Sequence, residues 1–185
     1  MSFPSTQGGR YGFEKQTTST KKQVYGATMI FPDGRVYRYV ENGGTAIGEG
    51  LLVVSEAPAG NHDDDLVVST SASVGGLTIG VTLGATAAVK NLYAEGYIRP
   101  NLAATTPHEM YKIKSHAAIA SSGSWTITID EPDGFQTAIT AGTDTVGLLK
   151  SPYKDIVVAP AAVAGRFVGV TTADLEADYF GWIQH

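Results

Sequence analysis

The chain of 185 residues contains no cysteine, which excludes disulfide frameworks, thiolate metal sites and cysteine nucleophiles together. Charge is scarce as well: Asp, Glu, Lys and Arg make up 17% of the residues, against a usual share of about a quarter. With so few charged side chains and 22 glycines, neither a helical bundle nor a charge-rich disordered chain fits the composition. No apolar run reaches the roughly 18–20 residues of a membrane-spanning helix. The opening Met1-Ser2-Phe3-Pro4-Ser5-Thr6-Gln7 lacks the charged-then-apolar profile of a secretion signal. The net charge of −5 argues against a dedicated nucleic-acid binder. The composition fits an all-β protein.

What charge there is lies unevenly. Residues 1–40 hold six basic side chains (Arg10, Lys15, Lys21, Lys22, Arg35, Arg38) against two acidic ones, Glu14 and Asp33. Up to about Gln23 this segment is rich in Gly, Ser, Thr, Gln and Lys and has neither helical nor strand periodicity. Residues 1–23 are therefore expected to form an extended N-terminal arm that orders on a partner. Fully stretched, such an arm reaches on the order of 80 Å. Its candidate contact residues are the aromatics Phe3, Tyr11 and Phe13 and the cations Arg10, Lys15, Lys21 and Lys22.

From residue 24 to residue 185 the pattern predicts one domain of short strands. Val24 to Phe31 and Arg35 to Val40 flank Pro32-Asp33-Gly34, a turn in which proline pre-sets φ and glycine accepts the left-handed conformation. The alternation puts Val36, Arg38 and Val40 on one face and Arg35, Tyr37 and Tyr39 on the other. Ser124-Trp125-Thr126-Ile127-Thr128-Ile129 alternates most cleanly, with Trp125, Ile127 and Ile129 directed to the core. Tyr93 to Arg99 and Met110 to His116 are expected to pair; residues 84–92 suit either a short helix or an ordered loop. Some ten short strands indicate a compact antiparallel β-barrel or β-sandwich.

No chemical motif emerges. The histidines at 62, 108, 116 and 185 have no metal-ligand spacing, and no Gly-x-Ser-x-Gly elbow presents a serine. His62-Asp63-Asp64-Asp65 lacks the spaced ligands and turning glycine of a calcium loop, and with Asp130-Glu131-Pro132-Asp133-Gly134 it reads as a solvated turn. Lys112 and Lys114 are expected to be solvated, with Met110 and His116 on their face. Tyr37, Tyr39, Trp125 and Trp182 form either a sugar-stacking platform or, more commonly for a β-domain, core. Neither an enzyme activity nor a cofactor or metal is expected.

Asp33-Gly34-Arg35-Val36-Tyr37-Arg38-Tyr39 followed by Asn42-Gly43-Gly44-Thr45-Ala46 resembles the opening of the capsid decoration, or cement, proteins of tailed bacteriophages. The resemblance continues through Val81-Thr82-Leu83-Gly84-Ala85-Thr86-Ala87-Ala88, Tyr93-Ala94-Glu95-Gly96-Tyr97 and Tyr111-Lys112-Ile113-Lys114-Ser115-His116. It ends with Lys150-Ser151-Pro152-Tyr153-Lys154-Asp155 and Tyr179-Phe180-Gly181-Trp182-Ile183-Gln184. It implies a structural virion protein on the outer surface of the capsid, bridging subunits of the major capsid protein. The same resemblance implies a homo-oligomer, a trimer with a dimer as runner-up; from the net charge and the short apolar runs, contact with neither nucleic acid nor membrane is expected. The alternative is a β-structured tail or fibre module that binds host surface glycans.

Overall fold

The computed structural model describes residues 6–103, 109–162 and 165–185. Thirteen strands and one short 3-10 turn account for the regular structure of these residues, so the protein is all-β as its composition requires. The strands fall into two compact units, one of residues 58–151 and one of residues 2–57 with 152–185. From the sequence, a single domain was expected to follow a separate arm. In the structure residues 6–23 share a unit with both ends of the chain, and the first unit is inserted between Ala57 and Pro152.

The inserted unit is a closed barrel. Its strands are β5 (Leu66–Thr70), β6 (Thr78–Thr82), β7 (Tyr97–Asn101), β8 (Tyr111–His116), β9 (Ser124–Ile129) and β10 (Thr145–Leu149), in the spatial order β10-β5-β6-β9-β8-β7. Every pairing in it is antiparallel. Closure leaves no free edge, which removes the usual route to strand-on-strand aggregation. Trp125, Ile127 and Ile129 point inward as their alternation predicts, packed with Ile79, Val81 and Ile113, while Ser124 and Thr126 face out. Segment 84–92 forms turns, with no helix.

The second unit is a seven-stranded sheet. It contains β1 (Thr6–Gly8), β2 (Thr28–Ile30), β3 (Val36–Glu41), β4 (Leu52–Val54), β11 (Val157–Val158), β12 (Phe167–Thr171) and β13 (Phe180–Gln184), ordered β1-β2-β3-β13-β12-β4-β11. The Pro32-Asp33-Gly34 turn closes the β2–β3 hairpin, with Gly34 at φ 87° and its N–H donating to Phe31 O. Tyr37, Tyr39 and Trp182 line one face of the sheet with Met29 and Phe31. Val40 and Ile183 line the opposite face with Ile47, Val53 and Leu175. One pairing departs from the antiparallel expectation: β1 runs parallel to β2, because the N-terminal segment enters alongside the sheet.

One local device recurs through both units. Three isolated bridge pairs, Ile47–Leu175, Ala72–Ile139 and Ala88–Ile119, join the two halves of the chain. Three residues after each of these six positions the backbone takes a positive φ, at Gly50, Gly75, Asn91, Ser122, Gly142 and Asp178. In all six the N–H of that residue donates across to the opposite segment, for example Gly50 to Thr171 O at 2.9 Å and Ser122 to Gly84 O at 2.8 Å. Each turn redirects the chain from one strand into the next without breaking the ladder. The result is nested pairing: β3 with β13, β4 with β12, β5 with β10, β6 with β9 and β7 with β8.

Candidate functional site

The N-terminal segment is the richest surface of the sheet unit. β1 fixes its start on β2, and the Gly9 N–H donates to Ile30 O at 2.7 Å. A Cβ on Gly9 would lie 2.2 Å from the Phe31 ring, so only glycine permits this close approach. Residues Phe13–Lys15 form the 3-10 turn. Its Glu14 is buried and accepts from the Gly12 N–H at 2.7 Å, while the Glu14 carbonyl accepts from the Thr172 hydroxyl at 2.6 Å. Further on, Thr18 exchanges backbone hydrogen bonds with Phe180. Residues 6–18 thus have backbone partners within the unit itself.

Of the candidate contact residues, Phe3 lies outside the described residues. Arg10, Tyr11, Phe13, Lys15 and Lys22 are exposed and Lys21 is half-buried. The structure divides them between two places. Tyr11 is 71% exposed, yet its ring meets Phe31 edge-on at 5.5 Å and its hydroxyl donates to Asp33 at 3.2 Å. Arg35, unassigned from the sequence, completes this cluster with a 2.9 Å ion pair to Asp33 and its guanidinium 5.4 Å from the Tyr11 ring centre. The Arg35 backbone N–H, followed by its side chain, holds the Asp33 carboxyl below its ordinary value. Lys21 stands 3.3 Å above the Tyr25 ring, a cation–π contact.

Phe13 and Lys22 belong to the second place. They line a pocket of about 170 Å³ with Gln7, Gln16, Thr18, Gln23, Tyr39, Phe180 and Trp182. Tyr39 and Phe180 stack at 6.2 Å with their planes 9° apart, and Trp182 meets Tyr39 edge-on at 5.2 Å. The glutamines carry no motif, and the topology alone assembles them.

The other sequence candidates are separated. His62 is fully buried; its Nε2–H donates to Thr86 O at 2.8 Å, and its Nδ1 accepts from the Tyr93 hydroxyl at 2.5 Å. Asp64 pairs with Arg99 at 3.2 Å, and Asp65 accepts from Thr145 at 3.2 Å, so this run does not converge on one point. The expectation of solvated lysines fails at Lys112, which is buried where the Asp130-Glu131 segment meets β8: its N–H donates to the Glu131 carboxylate at 3.2 Å and its carbonyl accepts from the Asp130 N–H at 2.7 Å. A register shift between Ile113 and Ser115 takes His116 off the lysine face and buries it. Lys114 is exposed. Tyr37, Tyr39, Trp125 and Trp182 are all buried, but Tyr39 and Trp182 also wall the pocket. No cluster of three or more metal-ligating side chains occurs among the described residues. No family model, curated protein or solved structure matches the chain.

Proposed function

We propose that the chain is a structural virion protein that binds the outside of a tailed-phage capsid and stabilises it by bridging major capsid protein subunits. The supporting observation is that large apolar side chains are exposed at both edges of the seven-stranded sheet. Tyr11 and Ile30 mark the β1–β2 side, and Leu52, Val157, Val158 and Phe167 mark the β12-β4-β11 side. Two apolar edges on one rigid sheet suit simultaneous contact with two neighbours, and many weak contacts on a closed shell add through avidity. The β11 edge, short and apolar, also suits self-association into the trimer or dimer that the sequence resemblance implies. An antibody against this chain, applied to parent particles in negative stain, tests the reading. Label over the whole head supports capsid decoration, and label confined to the tail overturns it. The second reading, a tail or fibre module for host glycans, is favoured by the aromatic and amide lining of the pocket.

A further inference from the structure

We infer that the pocket beneath the N-terminal segment binds a single pyranose ring of a glycan. The inference deepens the second reading by naming a site and its ligand, and it does not require the protein to sit on the tail. The volume of 170 Å³ lies below the roughly 300–1,000 Å³ of sites for drug-sized molecules, so the pocket suits one ring. Its walls supply apolar faces from Phe13, Phe180 and Trp182, which match the C–H faces of a sugar.

The polar groups point the same way. The side-chain amides of Gln7 and Gln16 and the Trp182 indole N–H have no hydrogen-bond partner among the described residues. The Tyr39 hydroxyl accepts from the Lys22 backbone N–H at 2.9 Å and keeps its own proton for a ligand. Amides both donate and accept, as sugar hydroxyls do. Among the described residues no carboxylate lines the pocket and Lys22 is its one cation, a poor match for a cationic ligand or a phosphate cluster but compatible with a neutral or uronic sugar. A flat base finds no slot between Tyr39 and Phe180, whose rings are already stacked on each other.

Saturation-transfer NMR on the full chain tests this with glucose, galactose, mannose, N-acetylglucosamine and glucuronic acid as probes. At least one pyranose is expected to receive magnetisation and to be displaced by its own oligosaccharide. The exposed substitutions Phe13→Ala and Gln16→Ala should each weaken that binding about tenfold, with the dispersion of the protein's own NMR spectrum retained. Tyr97→Ala, on the barrel, should leave it unchanged. Lys22→Ala should weaken glucuronic acid selectively if the acidic sugar is the ligand. Transfer to none of the five sugars would overturn the inference, as would transfer that survives both pocket substitutions or is displaced by adenosine. Particle labelling is scored separately, so a dry pocket on a labelled head leaves capsid decoration standing.

Discussion

Inside the barrel, two histidines and a tyrosine use almost every polar atom they have. The Tyr93 N–H donates to His116 Nε2 at 3.0 Å, and His116 Nδ1–H donates to Ala117 O at 2.7 Å, a pattern that needs His116 neutral. Burial lowers the His116 pKa from its ordinary 6.5. The unfolded chain therefore binds the extra proton more readily than the native one. The stability held above about pH 6.5 should decline as pH falls towards the lowered native value. Urea denaturation from pH 7.5 to 5 checks this, and His116→Gln should flatten the profile. The neighbouring Trp125 ring, 5.8 Å from His116, belongs to the same core. Trp125→Ala should cost on the order of 3–5 kcal/mol, whereas Thr126→Ala, on the exposed side of β9, should stay within about 0.5 kcal/mol of wild type. Thermal melts of the purified variants compare the two.

At the scale of elements, the six left-handed turns decide where strands begin. Around Gly142 a Cβ would meet nothing within 4 Å, but φ is +74°, so the strain of Gly142→Ala is purely conformational and should cost about 1 kcal/mol. Ser122 holds φ 56° with an L side chain. Ser122→Gly relieves that strain, partly offset by unfolded-state entropy, and should raise stability by a few tenths of a kcal/mol up to about 1. The two substitutions should shift the melting temperature in opposite directions. The N-terminal segment is an element in its own right. Removing residues 1–23 strips β1 from β2 and uncovers Met29 and Phe31, which are almost fully buried. The truncated chain should melt markedly lower than the full one, and unchanged stability would mean that the segment contributes contact surface alone.

For the whole molecule, the division into units makes its own prediction. Residues 58–151 are contiguous, close their own barrel and enclose their own apolar cluster. Expressed alone, they should fold with a β-type circular dichroism spectrum and a single cooperative melt. The sheet unit takes strands from both chain ends, so cutting the chain within residues 58–151 should leave β3 and β13 paired only if the fragments stay together. Size-exclusion chromatography after limited proteolysis measures that.

Residue types and local alternation determined the all-β class, the Pro32-Asp33-Gly34 hairpin, the inward face of Trp125, Ile127 and Ile129 and the pairing of β7 with β8. Each depends on the period of two along a strand or on the φ preference of a turn residue, and both are properties of neighbouring residues. The left-handed turns were written in the sequence as Gly, Asn, Ser or Asp three positions after a small or apolar residue. The strands between them differ in length, so no constant period exposed the repeat. Tertiary structure alone decided the rest. Burial of Lys112 came from the Asp130-Glu131 segment bonded to its backbone, burial of His116 from a register shift in β8, the docking of residues 6–23 from the absence of a side chain at Gly9, and the insertion of the barrel from long-range strand order. The pocket is the clearest case: Gln7, Gln16 and Gln23 lie along the N-terminal segment, while Phe180 and Trp182 lie at the far end of the chain. They meet because β13 pairs with β3 in the middle of the sheet, a consequence of packing between segments more than a hundred residues apart in sequence, which local pattern does not encode.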